Sequence, residues 1–232
     1  MFNMRKSKIS FMIPRNREFL NKSLKQQKEI LVKLENLSET ILESNVTPNA
    51  KRFYRMARSV SRELHYFKMF TRLKIHANAI LSGIIQPEHA IEDILLKFFY
   101  QRFPKFIIIL YSSRNSISYI IAPIELKESL KNKGILIKSE QDYIIGKSKL
   151  DLKKLLSIMI PLAKGNSLFN GILDPNLDLN KLFKEFYGSQ HIESRENYRL
   201  FFQNMPKKYQ KKKDMVVEKT FRVKTLDRFA KK

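Results

Sequence analysis

KRFYRMARSVSRELHYFKMFTRLK, residues 51–74, is the stretch whose reading decides the fold. At roughly 100° per residue it predicts one long amphipathic helix. Phe53, Met56, Ala57, Val60, Leu64, Phe67 and Thr71 fall on one side, with Phe70 at its edge. Arg55, Arg58, Arg62, His65, Lys68 and Arg72 fall on the other, three or four positions apart. Such a helix packs its apolar stripe on a core and turns a cationic ridge outward. Like charges in one row repel unless an anion lies opposite. Glu63, the single acid of the stretch, points to the apolar flank. It is expected to pair there with Arg195 or Arg102, and not to form an acid/base couple with His65, since residues two apart on a helix do not face each other. The ridge reads as a phosphate-binding surface; a merely solvated basic face is the competing reading.

Working outward, residues 1–17 read as a basic, irregular arm. Residues 18–44 carry Leu20, Leu24, Ile30, Leu31, Leu34, Leu37, Ile41 and Leu42 at helical spacing, predicting a second amphipathic helix. Thr47 and Pro48 are a helix-start signal for the central element. Past it, residues 75–85 lose regularity at Gly83, and Pro87 is expected to open another helix, with Glu88, Glu92 and Asp93 in its first turns and Pro104 closing it. FIIIL, residues 106–110, is a buried-strand run, and residues 117–122, 133–138 and 143–145 add short strands. Helices follow over 150–164, 178–187 and about 193–204. The expected fold is α+β, mostly helical, with a small antiparallel sheet over about residues 106–145. The expected organisation is an arm and helix at 1–49, an α+β domain at 50–210 with an insertion near 150–175, and a basic tail at 211–232.

The chain has 232 residues and a formal charge of +23, far more than solubility needs, so a polyanionic partner is expected. With no Cys there is no disulfide, zinc-thiolate or iron–sulfur chemistry, which agrees with a reducing interior and a cytoplasmic location. The longest apolar run, residues 106–111, is too short to span a bilayer, and the N-terminal residues lack the apolar core of a secretory signal. The helix lacks the Trp of an interfacial anchor, so no membrane association is expected.

Candidate chemistry is sparse. His89, Glu92 and Asp93 lie at helical spacing, but a metal needs a further ligand that the sequence does not offer, so no metal site is expected. No Walker loop, nucleophile elbow or dinucleotide fingerprint is present, and no cofactor is expected. Near the C-terminus, Arg195, Arg199, Lys207, Lys208 and Lys211 are interleaved with Tyr198, Phe201, Phe202 and Tyr209, a composition suited to tracking a strand and stacking on bases.

Three blocks add a resemblance: RSVSRELHYFKMFTRLK at 58–74, IQPEHAIEDILLKFFYQRF at 85–103, and LFKEFYGSQHIESRENYRLFFQNMPKKYQ at 182–210. In this order and spacing they resemble a bacterial and archaeal DNA-repair or DNA-metabolism family. That family is a domain of unknown function that often travels with a radical SAM protein and is sometimes fused to a uracil-DNA glycosylase domain. The matching positions are Arg58, Val60, Glu63, His65, Phe70, Arg72, Pro87, His89, Phe99, Arg102, Phe103, Ile192, Arg195, Asn197, Met205, Pro206, Lys208 and Tyr209. Gln210 and Phe183 stand where the family commonly has Trp. The resemblance implies a DNA-processing context, with a radical SAM or glycosylase-like protein as a candidate partner, and no particular reaction.

The expectation is therefore an accessory DNA-repair or DNA-processing factor that holds the phosphate backbone with little sequence preference, DNA being favoured over RNA. The binding residues would be Arg55, Arg58, Arg62, His65, Lys68, Arg72, Arg195, Lys207, Lys208, Tyr209 and Lys211. A nuclease or base-processing enzyme with a site near His89 and Glu63, and an RNA-binding protein, are the alternatives.

Overall fold

The computed structural model describes residues 5–76 and 79–169. The chain divides into two units, Met1–Leu173 and Asp174–Lys232, and the described residues all lie in the first. The expected helices at 178–187 and 193–204 and the basic tail lie outside the described residues.

The basic arm is not irregular. It forms α1 (Lys6–Met12), followed by a 3-10 turn at Ile13–Arg15. Ile9, Met12 and Ile13, at three- and four-residue spacing, are buried, which the basic residues flanking them (Arg5, Lys6, Lys8 and Arg15) had obscured. The expected helix over 18–44 is three pieces: α2 (Arg17–Leu20), α3 (Leu24–Glu35) and α4 (Glu39–Ser44). Ser23 restarts the chain through a reciprocal capping box with Gln26, and Ser38 caps α4 through the Ile41 amide. Asn45, in the left-handed region at φ 56°, ends α4. Of the apolar residues expected to form one stripe, Ile30, Leu34 and Leu42 are buried, whereas Leu20, Leu24 and Ile41 are exposed.

The long helix α5 (Pro48–Phe70) follows, and it is the axis on which α1 and α4 pack. The sheet then begins earlier than expected, with β1 (Lys74–His76) and β2 (Ile80–Ile85). Ser82 and Gly83 interrupt the apolar run of β2, which hid it as a strand. A Cβ at Gly83 would sit 3.1 Å from Leu73 and 3.2 Å from Leu110, so the glycine marks a close approach of neighbouring chain. The helix α6 (Glu92–Arg102) crosses over to β3 (Ile107–Ser112), after which come β4 (Ile117–Pro123), α7 (Lys127–Lys131), β5 (Leu136–Ser139), β6 (Tyr143–Ser148) and α8 (Leu152–Lys164).

The fold is α+β, but the sheet is neither small nor purely antiparallel. Six strands lie in the order β1-β2-β3-β4-β6-β5, and β2 runs parallel to β3, from Ile80 opposite Ile107 to Ile85 opposite Ser112. That parallel pair follows from α6, which carries the chain back before β3 begins. The other pairs are antiparallel. Both faces of the sheet are covered. On one, Ile107, Ile109, Ile120 and Ala122 meet Leu126, Leu130, Leu155, Met159 and Ala163 of α7, α8 and their approaches. On the other, α6 lies over β3 and β4, with Leu95, Leu96 and Phe99 buried. β3 therefore shows no alternation and is buried along Ile107–Leu110.

Residues 15–17 stitch the N-terminal helices to the turn before α6. The Arg15 carbonyl accepts from the Ala90 amide at 3.0 Å, and its guanidinium pairs with Asp93 at 3.0 Å. Asn16, buried, donates to the Met56 carbonyl at 3.0 Å and to Ser59 Oγ at 2.8 Å.

Candidate nucleic-acid interface

The central helix starts as its sequence predicts. Thr47 caps it by accepting from the Ala50 amide at 3.2 Å, and Pro48 occupies the first turn. Phe53, Met56, Ala57, Val60, Leu64 and Phe67 are buried, joined by Ala50, Tyr54 and Glu63. The opposite face holds Arg55, Arg58, Arg62 and His65, all exposed, and Arg72 is exposed just past the helix end. Among the described residues, no carboxylate pairs with Arg55, Arg58, Arg62 or Arg72. Arg55 Nε instead donates back to the Lys51 carbonyl at 3.3 Å, within its own helix. Arg52, off the ridge, pairs with Glu18 at 2.6 Å.

Lys68 departs from the row. It is half-buried, with Nζ 4.6 Å from the centre of the Phe98 ring, so its charge is directed at α6. The ridge is thus a set of five exposed cationic or protonatable groups, with Lys68 at its flank. Arg195, Lys207, Lys208, Tyr209 and Lys211 lie outside the described residues.

Glu63 is buried at 6% exposure, on the flank that the helical projection assigns. Its carboxylate accepts from two backbone amides, Glu88 N and His89 N, both at 2.8 Å. Arg102, one of its two expected partners, is exposed at the end of α6; the other, Arg195, lies outside the described residues. The carboxylate of another helix thus ties down the 88–89 amides in the turn that precedes α6 at Glu92.

His89, Glu92 and Asp93 do not converge. His89 Nδ1 accepts from the Arg17 amide at 3.1 Å, which assigns the ring proton of its neutral form to Nε2. Asp93 turns to Arg15. Glu92, 3% exposed, turns inward, where Ser112 Oγ donates to it at 3.2 Å and Arg114 lies 3.6 Å away. Burial pushes the Glu92 carboxyl above its ordinary range, against the opposing pull of backbone amide bonding, Arg114 and Ser112. Arg114 also donates to the Glu88 carbonyl at 2.7 Å. Among the described residues, no three His, Asp or Glu side chains are grouped so as to hold a metal ion. From sequence, Ser112 and Arg114 were not associated with Glu92.

These residues define an α+β protein with a buried polar cluster at the ends of its parallel strands and a cationic helix face turned to solvent. It belongs to the family described as Domain of unknown function (DUF4130), whose model matches residues 23–213. That match reaches further toward the N-terminus than the three sequence blocks. No match was found among curated proteins. Among solved structures, the chain is similar to CDC45 from Entamoeba histolytica, at 14% identity and a TM-score of 0.40, over 68% of this chain and 36% of that one. It is also similar to a DHH domain described as a member of the s1p family of ribosomal proteins, at 11% identity and a TM-score of 0.38, over 67% of this chain and 41% of that one. The matched region thus spans well under half the length of either structure. Among the described residues, no helix is long and apolar enough to cross a membrane.

Proposed function

We propose that this protein binds nucleic acid through the phosphate backbone, using the outer face of α5, as an accessory factor in DNA repair or DNA processing. The observation that carries the reading is the row Arg55, Arg58 and Arg62, exposed and unmatched by carboxylates among the described residues, on a chain of charge +23. The planar guanidinium is pre-organised, so less freedom is lost per hydrogen bond formed, and it can grip a phosphate bidentately. Such contacts position a ligand without reading its sequence. Lys207, Lys208, Tyr209, Lys211 and Arg195 would extend the same surface chemistry, and Arg72 and His65 would complete the row. DNA is favoured over RNA on the family resemblance, which also suggests a radical SAM or glycosylase-like partner.

The test is fluorescence anisotropy of the full chain with a labelled oligonucleotide across a salt series. Each phosphate neutralised contributes about 0.7 to 0.9 to the slope of log K against log salt. The triple variant Arg55→Ala, Arg58→Ala, Arg62→Ala is expected to reduce that slope by about 2 to 3. An unchanged slope, or binding indifferent to salt, would overturn the reading. Competition between DNA and RNA strands of one sequence decides which polymer is preferred.

A further inference from the structure

The solvent face of α5 changes character along its length. Arg55, Arg58 and Arg62 occupy the earlier turns, and His65, Tyr66, Met69 and Phe70 the later ones. At 100° per residue Tyr66 and Met69 fall within about 40° of Arg62, so the arginine row runs directly into them. Met69 is 56% exposed. Tyr66 and Phe70 are partly exposed and stacked on each other, ring centres 6.3 Å apart and planes 29° from parallel. His65, exposed, lies 6.4 Å from Tyr66. The core does not need these side chains to seal this end of the helix, since Leu64 and Phe67 are buried on the inner face. The hydroxyl of Tyr66 donates to nothing among the described residues. What remains is a partly apolar step with a π surface, continuous with a cationic row.

We propose that Tyr66, Met69 and Phe70 form a stacking platform for unpaired bases. The ligand of the helix would then be a single strand, or the single-stranded end of a duplex. This rests on the reading that the arginines hold phosphates. A single strand crossing the row presents phosphates to Arg55, Arg58 and Arg62 and, next to them, bases whose faces are free. An intact duplex keeps those faces stacked inside and offers only charged sugar-phosphate to an apolar step. Stacking on an aromatic side chain is tolerant of sequence, because every base has a π face. It therefore adds affinity without adding sequence preference.

The sequence contains no Trp, so Tyr66→Trp places a single indole on the platform. Titration of that variant with a single-stranded oligonucleotide is expected to quench its fluorescence, and a blunt-ended, loop-free duplex of equal phosphate number to leave it unchanged. In the second arm Tyr66→Leu, which keeps an apolar side chain without a π face, is expected to weaken single-strand binding about fivefold or more, in line with the loss of one stacked base. Its duplex binding and salt slope should match those of the parent chain. Equal quenching by both ligands, or equal weakening for both, overturns the platform. So does binding of single strands to Tyr66→Leu at parental strength. If instead no oligonucleotide binds, or binding ignores salt, it is the phosphate reading that fails, and the platform with it.

Discussion

Replacing Glu63 with Ala removes the acceptor of two backbone amides at once. The Glu88 and His89 N–H groups each donate to this carboxylate at 2.8 Å, the second in a buried position. A hydrogen bond to a charged group contributes about 1.5–3 kcal/mol, and a buried donor left without a partner costs about 1–3 kcal/mol. The Glu88 amide, partly buried, recovers some of its loss through water, whereas the His89 amide does not. The expected destabilisation is about 3 kcal/mol. For a chain of this size that lowers Tm by about 6–12 °C. Glu63→Gln keeps one carbonyl oxygen but sets an NH2 group against the other amide, and should fall between the two. The assay is thermal unfolding followed by circular dichroism, together with amide hydrogen exchange at His89. A Glu63→Ala protein that melts within 2 °C of the parent, or whose His89 amide exchanges no faster, would refute the claim that this carboxylate holds the turn before α6.

Two further substitutions probe the interior. Because burial raises the Glu92 carboxyl, the folded chain keeps a proton that the unfolded chain has already released. Stability should then fall as pH rises from about 4.3 through the folded value, and Glu92→Gln should flatten that decline; urea midpoints measured between pH 4 and pH 8 that keep the parental slope would contradict this. At Gly146 a Cβ would stand 2.8 Å from Ile135 Cγ2, and Ile135 is buried and β-branched. Gly146→Ala should cost about 1–3 kcal/mol by overpacking, and an unchanged urea midpoint would show that Ile135 shifts freely.

How much could be read beforehand varied with how local the cause was. The two faces of α5 were legible because a single period governs 23 residues with no Gly or Pro inside the helix beyond its first turn. Lys68 was misplaced because projection around an axis cannot show that Phe98, on another helix, lies within reach. The split of residues 18–44 was hidden because its apolar spacing stays helical across the breaks, while Ser23 and Ser38 cut it at the caps. The strand β2 lost its signature to Ser82 and Gly83, and its parallel pairing depends on where α6 delivers the chain, which no window of sequence contains. The partner of Glu63 was least accessible. The Glu63 carboxylate accepts from two amides some 25 residues away, a contact with no signature in residue type.

The stitch at residues 15–17 has a consequence for synthesis. Arg15 and Asp93 are 78 positions apart, so at 5–20 residues per second a translating ribosome needs roughly 4–16 s to deliver the second after the first. During that interval the nascent segment bearing Ile9, Met12 and Ile13 cannot be fastened to the turn that anchors it. Its basic side chains, which kept it from looking like a core element, would hold it in solution while it waits.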